Sequence, residues 1–318
     1  MVDKIATRDA YGKALLILGA ENPNVVVLDA DLSKSTKTAD FGKKYPERFF
    51  NMGIAESNLL GTAAGLAAAG KIPFASTFAI FAVGRAFEQI RNSIAYPKLN
   101  VKIAATHSGI TVGEDGGSHQ AIEDVAIMRA VPNMVVLVPA DGEETRQVIL
   151  AAAKYNGPVY IRMGRLAVPL LFGEDYNFEI GKANVLKEGT DVAIMANGLM
   201  VSMALEAAVE LAVEGISVSV VNVASVKPLD EETIVRIAKQ TKAVVTAEEH
   251  NIIGGLGSAI AEVLGEKLPT PMVRVGLKDT FGESGRPQEL LEKYGLTKVD
   301  LVKAVHEVLA KKLGSFTP

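Results

Sequence analysis

One segment of the sequence combines titratable side chains with several glycines. Residues 105–119 read ATHSGITVGEDGGSH, and we call residues 107–119 the histidine loop. The segment holds two of the four histidines of the chain, two acids and four glycines. Histidine can take up or release a proton near neutral pH, and glycine lets the backbone approach a ligand closely. Such a composition is typical of a ligand-binding loop.

The sequence on either side predicts how the histidine loop is held. An apolar run over 101–104 precedes it and helical spacing follows from Ile122, so we predict a strand, a long loop and a helix. Open α/β sheets bind ligands at the carboxyl ends of their strands. We therefore predict that this loop lines an active site.

The side chains of His107, Asp115 and His119 allow three interpretations. They could converge on a small hydroxylated or phosphorylated substrate, they could serve hydrogen bonding within the loop, or they could bind a metal. Their spacing matches no helical zinc motif and the chain has no cysteine, so a metal held by this chain alone is the least favoured.

Two further places could do chemistry. Glu56 stands among small apolar residues, where a carboxyl group can hold or share a proton near neutrality, although it could instead stabilise the helix that it begins. Phe78 and Phe81 lie at a predicted strand-to-helix junction and could stack on an aromatic ligand or belong to the core.

Other polar residues and glycines are less informative. Arg8, Ser35 and Arg165 each lie at the edge of a predicted element, and arginine suits phosphate, but none is decisive alone. The glycines of 254–257 do not form a dinucleotide-binding motif, and the acids and histidine at 248–250 suit a turn or an interface.

Composition excludes several classes of function. The 33 basic and 37 acidic residues give a net charge of −4, which does not favour a nucleic-acid partner. The chain of 318 residues has no cysteine, no signal-peptide pattern at its start and no apolar stretch long enough to span a membrane. We expect a soluble cytoplasmic protein.

The order of predicted elements indicates two α/β domains. Short apolar runs alternate with segments of helical spacing, the pattern of doubly wound domains with mostly parallel sheets. The predicted division is a first domain over 1–172, a linker over 173–189 without clear periodicity, and a second domain over 190–318.

Taken in order, these segments resemble the C-terminal half of transketolase over nearly the whole chain. The motifs that carry the resemblance are Ala6-Thr7-Arg8, Asp29-Ala30-Asp31-Leu32-Ser33, Asn51-Met52-Gly53-Ile54-Ala55-Glu56, Ser76-Thr77-Phe78-Ala79-Ile80-Phe81, the histidine loop with Gln120, and Glu248-Glu249-His250 with Gly254-Gly255-Leu256-Gly257. The resemblance implies a thiamine-diphosphate pyrimidine-binding fold followed by a transketolase C-terminal domain.

The motifs of a diphosphate-binding domain are missing from the sequence. The resemblance therefore implies one subunit of a split transketolase, which needs a separate N-terminal subunit. In an α2β2 complex the pyrimidine half of thiamine diphosphate would lie on this chain, and the partner would hold the diphosphate with Mg2+ or Ca2+. The complex would transfer a two-carbon ketol unit from a ketose phosphate to an aldose phosphate, as in the pentose phosphate pathway.

The resemblance also implies roles for individual residues. Glu56 matches the acid that hydrogen-bonds the pyrimidine ring, His119 matches a histidine near the reacting carbonyl, and both are expected to be catalytic. The residues expected at the cofactor are Glu56, Phe78, Phe81 and Asp31. At the substrate, Asp115 is expected to hydrogen-bond a hydroxyl group. The residues expected to bind the sugar phosphate are Arg8, Ser35, His107 and Arg165.

The chain departs from the family pattern in two places. Gly84 stands where many transketolases have a third aromatic residue, and Ser57-Asn58 where they tend to have a histidine.

Three alternatives to the transketolase reading stay open. The chain could be the β subunit of a 2-oxo acid dehydrogenase E1 component, which shares both folds and the acid at Glu56. A fragment of a 1-deoxyxylulose-5-phosphate synthase fits less well, because that enzyme normally keeps its domains in one chain. A non-catalytic structural partner is the third.

Overall fold

Fourteen strands form the frame of the computed structural model, which describes residues 3–173 and 175–314. They are β1 Lys4–Ala6, β2 Val25–Asp29, β3 Phe49–Asn51, β4 Ile72–Phe78, β5 Lys102–Thr106, β6 Val135–Leu137, β7 Val159–Arg162, β8 Ala167–Pro169, β9 Asn184–Lys187, β10 Val192–Ala196, β11 Val218–Asn222, β12 Ser225–Lys227, β13 Val244–Asn251 and β14 Met272–Leu277.

Helices connect most of these strands. The α-helices are α1 Thr7–Glu21, α2 Ser33–Thr36, α3 Ala39–Lys44, α4 Glu56–Ala68, α5 Ala79–Arg85, α6 Asp124–Ala130, α7 Gly142–Lys154, α8 Met200–Val213, α9 Glu231–Thr241, α10 Leu256–Lys267, α11 Pro287–Lys293 and α12 Lys298–Gly314. Short 3₁₀-helices cover Pro46–Arg48 and Ile110–Asp115, and a π-helix covers Gln89–Ala95. Within the described ranges, no helix combines the length and apolarity that crossing a membrane requires.

The larger sheet has the order β12-β6-β7-β5-β4-β2-β3, and all its strands except β12 run parallel. Alternate residues of β2 show why helices cover both of its faces. Val25 and Val27 pack in one core with α1 and α7, whereas Val26 and Leu28 pack in another with α4 and α5. A strand covered on both faces is mainly apolar, as the predicted doubly wound fold requires, and β2 is apolar up to its last residue, Asp29. That prediction of fold class is confirmed.

The smaller sheet has the order β14-β13-β10-β11-β9, in which only β9 is antiparallel. Strand β9 lies inside the segment 173–189, so the expectation that this whole segment is a linker is wrong for residues 184–187. Strand β12, from the second half of the chain, pairs with β6 in the first sheet. The predicted domain boundaries stay a prediction.

The parallel register brings several strand ends to one edge of the larger sheet. Asp29 pairs with Ser76, Phe78 with Thr106, and Ala105 with Arg162, so β2, β4, β5 and β7 end side by side. The loops that follow these strands therefore meet at the carboxyl edge, where open α/β sheets form their sites.

Candidate active site

An aromatic wall lies where β4 and β5 end. The ring of Phe78 stacks on His107, with 3.9 Å between ring centroids, and on Phe81 at 5.8 Å. His119 lies edge-on to Phe81, with their centroids 5.2 Å apart. The structure thus brings both predicted phenylalanines together with both histidines of the histidine loop.

His107 connects this wall to a cationic group. Its Nε2 atom lies 3.1 Å from Nη1 of Arg8, which also donates to the carbonyl oxygen of Ser35 at 3.1 Å. Since a guanidinium can only donate, Nε2 accepts, and Nδ1 carries the proton that it shares with Thr106 Oγ1 at 3.0 Å. Burial lowers the pKa of His107 to about 3, and neighbouring cations, Arg8 foremost, lower it too. The imidazole is therefore neutral at neutral pH.

We predict that this buried neutral imidazole makes stability depend on pH. The unfolded chain protonates His107 near its ordinary pKa of 6.5, and the folded chain only near about 3. This stabilisation is fully present above about pH 6.5 and is lost as the pH falls toward about 3. Between these values His107→Gln should reduce the slope of unfolding free energy against pH by up to about 1.4 kcal/mol per pH unit.

Urea unfolding of the chain from pH 7 to pH 4 would measure that slope. His306→Gln is the control, because His306 is an exposed histidine in α12 whose partner is Glu214. An unchanged slope in the His107 variant would contradict the prediction.

The surroundings of Arg8 favour binding of an anion. It is half-buried, and its Nε is buried without a hydrogen-bond partner among the described residues. Burial lowers the pKa of Arg8, Asp9 opposes this shift, and Arg165 adds to it. A buried unsatisfied donor beside a second arginine favours binding of a negatively charged ligand.

Arg165 follows β7 and is bound to the histidine loop. Its Nη1 atom donates to the carbonyl oxygen of Val112 and to the carboxylate of Glu114, the latter at 3.3 Å. Asp115 ends the 3₁₀-helix of the same loop and is exposed. Arg165 thereby links the end of β7 to the loop, and the carboxylate of Asp115 faces solvent.

Glu56 begins α4 and is 4 % exposed. Its carboxylate accepts from Nη1 of Arg85 at 2.9 Å, and no backbone amide of the described residues bonds to it. The guanidinium carbon of Arg85 lies 4.0 Å from the centre of the Phe81 ring. Through Arg85 the carboxylate is therefore connected to the aromatic wall, and it makes no capping bond to the helix.

Sequence reasoning missed Arg85 and Asp29. Arg85 lies four residues after Phe81 in the same helix, a spacing that puts two side chains on one face and could have identified it. Asp29 is buried and accepts from the amide of Leu32 and the hydroxyls of Thr36 and Thr38, so it shapes the loop that carries Ser35. Burial raises the pKa of Asp29.

Asp31 lies apart from these clusters. It is exposed, has a left-handed backbone (φ 64°), and exchanges two hydrogen bonds of 3.1 Å with the side chain of Asn51, which ends β3. No bond of the described residues joins it to the aromatic wall or to Arg8. Within the same residues, no three His, Asp or Glu side chains are grouped so that they could hold a metal ion.

Comparisons with known proteins identify relatives over the whole length. Residues 3–169 match the transketolase pyrimidine-binding domain model, and residues 181–301 match the transketolase C-terminal domain model. A putative transketolase C-terminal section of Methanocaldococcus jannaschii is 53% identical over 308 residues, which cover 96% of each chain. A 6-deoxy-6-sulfo-D-fructose transketolase subunit of Clostridium sp. (strain MSTE9) is 47% identical over 305 residues, which cover 96% of this chain and 95% of that one.

A solved structure has the same fold throughout. It is described as a split gene transketolase, inactive beta4 tetramer, and superposes with a TM-score of 0.92 at 65% identity. The superposition covers 97% of this chain and 99% of that one.

Proposed function

We propose a reaction for this chain from the premise that it belongs to the transketolase family, as the C-terminal subunit of a split enzyme. The reaction is transfer of a two-carbon ketol unit from a ketose phosphate to an aldose phosphate, in complex with a separate N-terminal subunit. One observation carries the proposal. His107 joins the Arg8 cluster, which suits an anion, to the aromatic wall, to which Glu56 is connected through Arg85.

The residues of the aromatic wall fit the pyrimidine of thiamine diphosphate, the cofactor of this family. The planar guanidinium of Arg85 lies against Phe81 and donates to Glu56. A pyrimidine ring is also flat and carries a hydrogen-bond donor, so it suits the same two side chains. A Cβ added at Gly84 would meet no atom of the described part of the chain within 4 Å, so this departure from the family pattern leaves open space there.

The cofactor, when bound, supplies a nucleophilic carbon that accepts the two-carbon unit. Glu56 would hold a proton at the pyrimidine ring, and Phe78 and Phe81 would stack against that ring. Asp31, which bonds Asn51 at the end of β3, would be a further contact of the cofactor. We assign the diphosphate and its Mg2+ or Ca2+ to the partner subunit in an α2β2 complex.

The substrate would extend from the aromatic wall toward Arg8. Its anionic group would bind Arg8 and Arg165, with Ser35 and the neutral His107 completing that end of the site. His119 would lie at the reacting carbonyl and donate or accept a proton there. Asp115 would turn to a hydroxyl of the sugar.

The anionic group of the substrate could be a phosphate or a sulfonate, and we propose a phosphate. Phosphate and sulfonate both present negatively charged oxygens to arginine, and the Clostridium relative is named for a sulfonated ketose. We propose that the substrate is a phosphorylated ketose. We also propose that the complex is cytoplasmic and serves the pentose phosphate pathway.

Product analysis of the assembled complex tests this proposal. The chain is combined with the diphosphate-binding subunit, thiamine diphosphate and Mg2+, and supplied with xylulose 5-phosphate and ribose 5-phosphate. We expect a ketose lengthened by two carbons and a shortened aldose phosphate. Transfer from a sulfonated ketose alone would correct the substrate class. Decarboxylation of a 2-oxo acid without ketol transfer would overturn the proposal in favour of an E1 β subunit.

A further inference from the structure

A carboxylate of the second sheet reaches the histidine loop. Glu249 lies in β13 and is 5 % exposed, and its Oε1 accepts from the backbone amide of Thr111 at 2.7 Å. Thr111 is the second residue of the 3₁₀-helix Ile110–Asp115, and the residue before that helix is Gly109, which has no side chain for capping. Glu249 thus satisfies a free amide at a helix start, as an N-cap side chain would.

The loop backbone is packed directly on this carboxylate. Gly109 has φ +76°, and a Cβ built there would lie 2.3 Å from the carboxyl carbon of Glu249. A larger residue would displace either the loop or the carboxylate. Glycine at this position therefore serves the approach of Glu249 as well as the left-handed turn.

Arg162 holds the strand that carries this carboxylate. Its Nη2 donates to the carbonyl oxygen of Glu249 at 2.9 Å and to that of Ala121 at 3.1 Å, and its Nε pairs with buried Asp124 at 2.9 Å. At the other end of the histidine loop, the Nε2 of Gln120 donates to the carbonyl oxygen of Glu283 at 2.9 Å. Both ends of the segment from Gly109 to Ala121 are therefore tied to the second half of the chain.

We propose that Glu249 is a positioning residue for substrate, acting through the histidine loop. Its carboxylate sets the place of the 3₁₀-helix, and with it the places of His107, Asp115 and His119 around a sugar phosphate. The second domain would then determine substrate affinity without touching substrate. The inference rests on the proposed function for its kinetic part, and on the geometry alone for its structural part.

Glu249→Ala and Glu249→Gln separate positioning from general stability. The amide oxygen of glutamine can still accept from Thr111, whereas alanine leaves that amide unsatisfied. In the assembled complex we expect Glu249→Ala to raise KM for the ketose phosphate about tenfold or more, with thiamine diphosphate affinity unchanged. Glu249→Gln should stay within about twofold of wild type.

Glu144→Ala is the matched control. Glu144 is also a buried carboxylate, and it accepts from Asn222 of β11 and from Tyr176, but it does not contact the histidine loop. This variant should lower the melting temperature and leave KM unchanged. If Glu249→Ala also lowers only the melting temperature, the proposal is overturned.

Hydrogen exchange distinguishes failure of this inference from failure of the proposed function. In the chain itself, Glu249→Ala should accelerate exchange of the peptide containing Thr111 by about tenfold or more, and Glu144→Ala should not. Wild-type exchange in the Glu249→Ala protein would refute the positioning role, whatever reaction the complex performs. If Glu249→Ala is insoluble, Glu249→Asp repeats both measurements, because its shorter side chain withdraws the carboxylate from Thr111.

Discussion

The complex that contains Glu56→Gln is expected to turn over at roughly one hundredth of the wild-type rate or less. The buried carboxylate of Glu56 pairs with Arg85 beside Phe81, and in the proposed function it holds a proton at the cofactor ring. Glutamine has nearly the same shape but cannot take up or release that proton, so kcat should fall while the fold persists. Steady-state kinetics with saturating thiamine diphosphate measures the effect.

Glu88→Gln is the control for this substitution. Glu88 is an exposed acid just after α5, and its partners are the side chains of half-buried Gln89 and exposed Asn92. We expect its complex to retain wild-type kcat. Full activity of the Glu56→Gln complex would contradict the catalytic role and would favour a non-catalytic partner.

The second large effect is expected at Arg8. Its Nε is buried without a partner among the described residues, and its Nη1 joins His107 to Ser35, so it should lie against the anionic end of the substrate. Arg8→Ala should raise KM for a ketose phosphate by roughly ten- to a hundredfold. Arg8→Lys should restore little of this, since a single ammonium cannot replace a planar fork of donors.

Two comparisons show whether the Arg8 effect is specific for the anion. An unphosphorylated ketose should lose much less than the phosphorylated one in the same variant. Arg48→Ala is the matched protein control, because half-buried Arg48 donates to the carbonyl oxygens of Gly19 and Asn22, away from the site. An equal loss for both ketoses would mean that Arg8 acts on the fold and not on the anion.

Local patterns were sufficient to predict most of the fold. The continuous apolar run over 25–28 is typical of a parallel strand covered on both faces, and the structure places it within the larger sheet. His107 directly follows an apolar strand, and parallel strands end at one edge, so its proximity to Phe78 was predictable in kind.

Interactions that join distant segments were not predictable from local patterns. Strand β12 is three residues long and pairs with β6, far earlier in the chain, which no hydrophobic period reveals. Glu249 suits a turn or an interface and belongs to a motif of the family resemblance, but no local pattern indicates its bond to Thr111, which lies 138 residues away. The linker prediction is wrong at β9 for a local reason, because its four residues are all half-buried and show no alternation of buried and exposed side chains.

Some of the predicted site residues contact one another in the structure, and others lie apart. The structure brings Phe78, Phe81, His107 and His119 into ring contact, and it joins Arg8 to Ser35. Asp31 and Asp115 remain exposed at the margins, and their roles depend on a bound ligand. Their functions stay predictions, as do those of the residues at the centre.

This chain is proposed to supply one half of a shared active site, and a titration of one subunit against the other tests whether it does. Increasing amounts of the chain are added to a fixed amount of the diphosphate-binding subunit, and ketol transfer is measured with thiamine diphosphate and Mg2+. If the site is shared, neither subunit alone transfers a ketol unit, and activity saturates at equimolar mixing. Turnover by this chain alone, or activity that does not depend on its amount, would contradict a shared active site.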